Sequence, residues 1–250
     1  MSPVQTTITP GQFDAVLFDL DGVLTSTARI HSRCWKTMFD DFLSRRAAAG
    51  KEPVQPFEIE TDYKLYVDGK PRYEGVRSFL ASRNISLAEG TPTDLPTADT
   101  VCGLGNRKDE LVKAAIDQGA VESYPGSVAL VRWLRKQGIR TGVVSSSNNC
   151  ENVLLAVGIL DLFELRVDGV VASTLGLPGK PAPDTFLEAA RMLGVVPVRA
   201  VVVEDAIAGI QAALAGGFGL VVGVDRGGSR DALRTEGADV VVTDLAELLN

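Results

Sequence analysis

Short apolar runs that end in small or acidic residues recur along this chain, and between them apolar positions return every three or four residues. The run Ala15-Val16-Leu17-Phe18 leads into Asp19-Leu20-Asp21-Gly22 and predicts a buried strand with acids at its carboxyl end. From Thr27 to about Arg46, residues Ile30, Cys34, Trp35, Met38, Phe39, Phe42 and Leu43 fall at helical spacing. Ala48 to Pro56 reads as a loop. Further helices are predicted over Glu60 to Tyr66, about Tyr73 to Arg83, and Asn106 to Gln118, separated by a turn at Val67 to Arg72 and an exposed connection at Ser86 to Asp99. Nothing between 27 and 118 reads as a convincing strand.

From Tyr124 the pattern alternates. Helices are predicted over Gly126 to Gln137, 150 to 157, 184 to 193 and Gly209 to Ala215, with a short one at the end. Strands are predicted over Arg140 to Val144, weakly near Val167 to Val171, then Ala200 to Val203, Gly219 to Val224 and Asp239 to Val242, with Gly176 to Pro183 a loop. Strand–helix alternation indicates βαβ units and a parallel sheet, which the first strand must join. The expected fold is therefore α/β: a Rossmann-like core with a central parallel sheet flanked by helices, formed by 1–26 and 119–250. Residues 27–118 form an inserted helical domain.

Composition narrows the partners. The 250 residues are 45% hydrophobic and carry a formal net charge of -7, which argues against binding to nucleic acid or an anionic membrane surface. Cys34, Cys102 and Cys150 are widely spaced beside a single histidine, His31, and read as reduced thiols rather than a disulfide framework or a zinc site. No run approaches 18 apolar residues and the first twelve do not resemble a signal peptide, so a cytoplasmic location is expected by elimination. The oligomeric state is not readable; a monomer is compatible with the sequence.

Four stretches carry candidate chemistry, each beside a predicted strand. Alternation sends Asp19 and Asp21 the same way, and two like charges in one pocket call for a hard divalent cation such as Mg2+. Ser145-Ser146-Ser147-Asn148-Asn149 offers hydroxyls and backbone N–H groups suited to phosphate oxygens. Lys180 stands in a proline-stiffened loop, Gly179-Lys180-Pro181-Ala182-Pro183. Glu204-Asp205 ends another apolar strand and supplies hard oxygen ligands. Each has a plainer reading on its own: a turn carboxylate, a cap loop, a solvated lysine and an acidic helix start.

Together and in this order, these stretches resemble the four motifs of the haloacid dehalogenase superfamily. The resemblance covers nearly the whole chain, including an insertion straight after the first motif. It implies that Asp19 is a nucleophile that becomes an aspartyl-phosphate and that Asp21 is the general acid/base. Ser145 and Lys180 would hold the transferring phosphate. Asp19, Asp205 and the Asp21 backbone carbonyl would ligate Mg2+, with Glu204 in or beside that shell.

Within the superfamily, DLDGVLTSTARIHSRCW is similar to the β-phosphoglucomutase branch. There Thr27 and His31 would help gate Asp21. Gly69, Lys70 and Arg72 lie in the segment resembling a cap loop that grips a second phosphate, and Lys108 matches the cap lysine. Ser146, Ser147, Asn148 and Asn149 fall where the core would hold the substrate's phosphates. The plainer readings are a partly buried histidine and surface charges. Three positions depart from the pattern: Ser26 for an acid, Gly75 for a serine, and Asn148 for a lysine; the insertion is also longer near 48 to 67. The resemblance implies a small phosphorylated sugar as substrate and interconversion of β-D-glucose 1-phosphate and glucose 6-phosphate. The alternatives are a sugar-phosphate phosphatase and a non-catalytic phosphosugar-binding module.

Overall fold

In a computed structural model, which describes residues 8–51, 55–228 and 230–249, the opening apolar run forms β1 (Ala15–Phe18), every residue of it buried. The chain continues through α1 (Thr27–Ala48), a wide-wound helix over Ile59–Val67, α2 (Arg72–Ser82), α3 (Val101–Asp117) and α4 (Pro125–Lys136). Then come β2 (Arg140–Val144), α5 (Cys150–Ala156), β3 (Leu165–Val167), α6 (Gly169–Leu175), α7 (Asp184–Leu193) and β4 (Ala200–Glu204). The last labelled elements are α8 (Ile207–Ala215), β5 (Leu220–Val224), α9 (Arg230–Thr235) and β6 (Val240–Val242). The chain divides into two compact units, Met1–Thr27 with Val121–Asn250, and Ala28–Ala120.

The first unit holds a six-stranded sheet in the order β3-β2-β1-β4-β5-β6, with every pairing parallel. Phe18 pairs with Val143 on one side and Val203 on the other, so β1, β2 and β4 end level. The connections run to opposite sides of β1, the arrangement that opens a crevice at the carboxyl ends of the strands. Leu17, Val144, Val202, Phe186, Ala189, Ile210 and Val221 belong to one buried cluster of sheet and helix side chains.

The second unit is helical and aromatic. Phe39 stacks at 5.3 Å on both Trp35 and Phe57, and its ring lies 4.0 Å from Phe79. Such ring pairs add to the area they bury. The chain enters this cluster at Phe57, whose N–H donates to Asp40 Oδ1 at 2.8 Å and whose carbonyl accepts from Lys36 Nζ at 2.6 Å. The additional segment near 48 to 67 therefore contributes to the core of its unit.

Three expectations need correction, and one expected helix has an unusual winding. Residues 170 and 171 are helical, because Asp168 Oδ1 accepts from the N–H groups of Val170 and Val171 at 3.1 and 3.0 Å; the side-chain cap overrides the strand propensity of the valines, and the strand lies earlier. Helix α3 begins at Val101 rather than Asn106, capped by Thr100 Oγ1, which accepts from Gly103 N–H at 2.9 Å; Gly103 and Gly105 interrupt the apolar period there. Helix α1 runs on to Ala48, into the expected loop. The 59–67 helix is wound wider than an α-helix, with the N–H of Asp68 donating to the carbonyl of Tyr63 five residues back at 2.9 Å. Its buried Asp62 accepts from Glu58 N–H at 2.9 Å and from Arg83 Nη2 at 2.6 Å. Among the described residues, no helix is long and apolar enough to cross a membrane.

Candidate active site at the carboxyl edge of the sheet

Three central strands deliver the acids and the serine loop. Asp19 follows β1, its N–H bonded to the Val203 carbonyl at 2.9 Å, and Ser145 follows β2, its N–H bonded to the Val167 carbonyl at 3.0 Å. Glu204 ends β4 and Asp205 comes next. Lys180 ties the strands together: its Nζ donates to Asp19 Oδ1 at 2.5 Å, Glu204 Oε1 at 2.6 Å and the Val144 carbonyl at 3.1 Å. The three ammonium hydrogens thus have three acceptors.

This cluster is buried. The Lys180 side chain is 1% exposed and that of Glu204 0%, so their charges depend on one another. Burial pushes the Asp19 carboxyl well above the ordinary carboxylate range; Lys180 opposes this, while Glu204 and Asp21 add to it. Burial pulls the Lys180 ammonium down, but Asp19 and Glu204 outweigh it and hold its pKa above the usual lysine value. Glu204 also accepts from the N–H groups of Asp205 and Ala206, both at 3.0 Å, so one carboxylate fixes both the lysine and the turn that carries Asp205.

Asp21 has a different setting. Its Oδ1 accepts from the Thr27 hydroxyl, and Thr27 Oγ1 lies 2.7 Å from Thr25 Oγ1, which donates to the Leu20 carbonyl at 3.2 Å. The two acids of the opening motif thus have different neighbours: one faces a buried cation, the other a hydroxyl.

Gly22 closes the turn between them and Asp205. Its φ is +85°, and a Cβ there would run into the Asp205 carboxylate. Gly22→Ala is expected to cost about 1–2 kcal/mol for the left-handed backbone alone and to displace Asp205. A lowered melting temperature together with a raised divalent-cation requirement checks this.

Asp19, Glu204 and Asp205 each offer a carboxylate oxygen, all within 4.8 Å of one another. Hard oxygen donors around one point suit a small divalent cation, and a cation there would counter the burial that disfavours the Asp19 carboxylate. The donor set fits a metal.

Within the serine loop, Ser145 Oγ accepts from Ser147 N–H, and Ser147 Oγ from Asn149 N–H, both at 3.1 Å. Ser145 and Asn149 are buried. Gly169, the first residue of α6, leaves no room for a side chain beside Asn148 and the Ser146 carbonyl.

The remaining predicted residues lie in the helical unit. His31 Nδ1 is 2.9 Å from Lys108 Nζ. The ammonium has no acceptor capacity, so the imidazole accepts, and in its neutral form carries its proton on Nε2. Lys108 Nζ also lies 5.1 Å from the Trp35 ring centroid. Gly69 adopts φ +70° in the turn before α2. Lys70 turns back to Ser78 Oγ at 3.1 Å, and burial lowers its pKa. Arg72 pairs with Asp109 at 3.0 Å.

Two contributors escaped sequence reasoning. Thr25 is buried beneath the Asp21–Thr27 bond; its only signal was a second threonine two residues before Thr27. Arg226 stands in the turn after β5. Its guanidinium lies 3.7 Å from the Tyr124 ring centroid, and its Nε donates to the Gly22 carbonyl at 3.0 Å. The DRGG run at a strand's carboxyl end was the available sign.

The family model of the haloacid dehalogenase-like hydrolases matches residues 13–217. The chain belongs to that family. Among haloacid dehalogenase-like hydrolases it is similar to the β-phosphoglucomutase of Mycobacterium tuberculosis, 47% identical over 243 residues that cover 96% of this chain and 93% of the relative. The solved β-phosphoglucomutase of Clostridium difficile has a TM-score of 0.71 at 26% identity and covers 94% of this chain and 93% of its own. A variant of the CbbY protein of Rhodobacter sphaeroides, crystallised with xylulose-1,5-bisphosphate, gives 0.70 at 26% and covers 95% and 96%.

Proposed function

We propose that this haloacid dehalogenase-like protein is a Mg2+-dependent β-phosphoglucomutase that interconverts β-D-glucose 1-phosphate and glucose 6-phosphate. The observation that carries the reading is the division of labour between Asp19, buried against Lys180, and Asp21, held by Thr27. A nucleophile and a proton carrier need such different surroundings. The similarity to mutases over nearly the full chain supports the substrate.

Asp19 Oδ attacks phosphorus, and the bond from phosphorus to the leaving oxygen breaks as the aspartyl-phosphate forms. Lys180 offsets the charge on the attacking carboxylate and, with Ser145, holds the phosphoryl oxygens. In the forward direction Asp21 takes the proton from the sugar 6-hydroxyl as that oxygen accepts the phosphoryl group from Asp19, giving β-glucose 1,6-bisphosphate. With the sugar turned over, Asp19 accepts the 1-phosphate and Asp21 returns the proton to the departing O1. Mg2+, held by Asp19, Asp205 and the Asp21 carbonyl with Glu204 beside them, would neutralise charge shared between carboxylate and phosphate. Thr27 orients Asp21; in the core unit Ser146, Ser147, Asn148 and Asn149 are assigned to substrate phosphate, and in the helical unit His31, Lys108, Gly69, Lys70 and Arg72 are assigned to substrate, Arg72 as a phosphate ligand.

Enzyme, Mg2+ and β-glucose 1-phosphate with a trace of bisphosphate should yield glucose 6-phosphate without matching release of inorganic phosphate. Phosphate as the main product identifies a sugar-phosphate phosphatase instead. Chelation should stop turnover and added Mg2+ restore it.

A further inference from the structure

Arg72 opens α2, and it is held from two sides. Its Nη1 lies 3.0 Å from Asp109 Oδ2 on α3. Its Nη2 donates to the Tyr73 hydroxyl at 3.0 Å, which in turn donates to Asn106 Oδ1 at 2.8 Å. Asn106 is locked as well, since its Nδ2 donates to the carbonyls of Pro92 and Asp94 at 3.1 and 2.8 Å. The Tyr73 ring passes close over α3: a Cβ on Gly105 would come within 2.6 Å of Tyr73 Cδ1. Gly105 therefore creates the space that lets the tyrosine reach Asn106.

Each terminal nitrogen of a guanidinium carries two hydrogens. The bond to Tyr73 uses one on Nη2, and Asp109 faces Nη1 as an ion pair, so the guanidinium keeps hydrogens on both terminal nitrogens for another acceptor. The side chains of Arg72 and Asp109 are 22% and 13% exposed, and Lys113 Nζ lies 2.8 Å from the same Asp109 oxygen, so the carboxylate is itself held in place. An arginine fixed in this way loses little rotamer freedom when it grips a dianion, and a planar fork held at both ends recognises phosphate through paired bonds.

We propose that Asp109, Tyr73 and Asn106 form a positioning clamp that presents the Arg72 guanidinium to a second phosphate group of the substrate. The proposal rests on the reading of Arg72 as a phosphate ligand and deepens it. Asp109 is a positioning residue rather than a competitor for the arginine.

Steady-state assays with β-glucose 1-phosphate as substrate and β-glucose 1,6-bisphosphate as activator test it, using Arg72→Ala, Asp109→Ala, Asp109→Asn and Tyr73→Phe. Asp109→Ala and Tyr73→Phe are expected to raise the bisphosphate KM by about tenfold with kcat within about twofold of wild type. Asp109→Asn, which keeps an acceptor oxygen, should recover most of the loss. An unchanged or lower KM in Asp109→Ala overturns the clamp, as does an Asp109→Asn value as high as that of Asp109→Ala. Arg72→Ala separates the two levels: a raised KM with normal Asp109→Ala and Tyr73→Phe rejects the clamp and keeps the ligand. A normal KM in Arg72→Ala rejects both.

Discussion

Asp19→Asn is expected to abolish turnover, with kcat falling by about 10⁴-fold or more, while the protein stays folded. The amide is nearly isosteric and removes the only nucleophile proposed for the phosphoryl group. Burial, with Glu204 and Asp21 nearby, already disfavours the charged form of Asp19, so a neutral group is tolerated there. Lys180 keeps Glu204 Oε1 and the Val144 carbonyl as acceptors. Rapid quench with radiolabelled substrate should trap an acid-stable, hydroxylamine-sensitive phosphoprotein in the wild type and none in the variant. Label on the Asp19→Asn variant would move the nucleophile elsewhere.

Lys180→Met should act on stability and activity together. It leaves the Asp19 and Glu204 carboxylates buried without their cation, and breaking a buried ion pair from one side costs about 3–5 kcal/mol. In a protein of this size that corresponds to a drop in melting temperature of roughly 10 °C. The pH dependence has a definite sign. Without the lysine, the folded pKa of Asp19, already raised above 3.8, rises further. Stability linked to a raised carboxyl is present below the unfolded value and is lost as pH rises through the folded one. The gap between wild type and variant, measured with chelator present, should therefore narrow toward pH 4 and widen toward neutrality. Lys180→Arg should not restore activity, because three acceptors converge on one nitrogen and a planar fork does not match a point charge.

Much of this architecture was legible beforehand. Asp19, Ser145 and Glu204 each follow or end a short apolar run, and parallel strands place such positions side by side. The bond from Lys180 to Asp19 spans 161 residues; topology alone closes that distance, so no local pattern could state its length or partners. The strand expected near Val167 to Val171 was misplaced for the opposite reason: a single capping side chain, Asp168, reversed the preference of two valines. Arg226 and Tyr73 act through a carbonyl and a hydroxyl met only in the folded chain, and neither carries a periodic signal. In the helical unit, helix content was readable, while the wide winding of 59–67 and the contact of its buried Asp62 with Arg83 are met only in the folded chain.

The place of β1 has a consequence for how the chain matures. It precedes the other five strands of its sheet in the chain, yet its neighbours are β2 and β4, which end at Val144 and Glu204. During synthesis the opening motif must wait for nearly two hundred further residues before both edges of its strand are covered. The stretch Ala28–Ala120 is continuous and compact, so all of it is made before β2 is available to the first strand. Closing that long loop is a slow, entropy-costly step. Ribosome-bound chains that end before β4 should therefore hold a folded helical unit beside an unfinished sheet, the state most exposed to chaperones and to edge pairing with another chain.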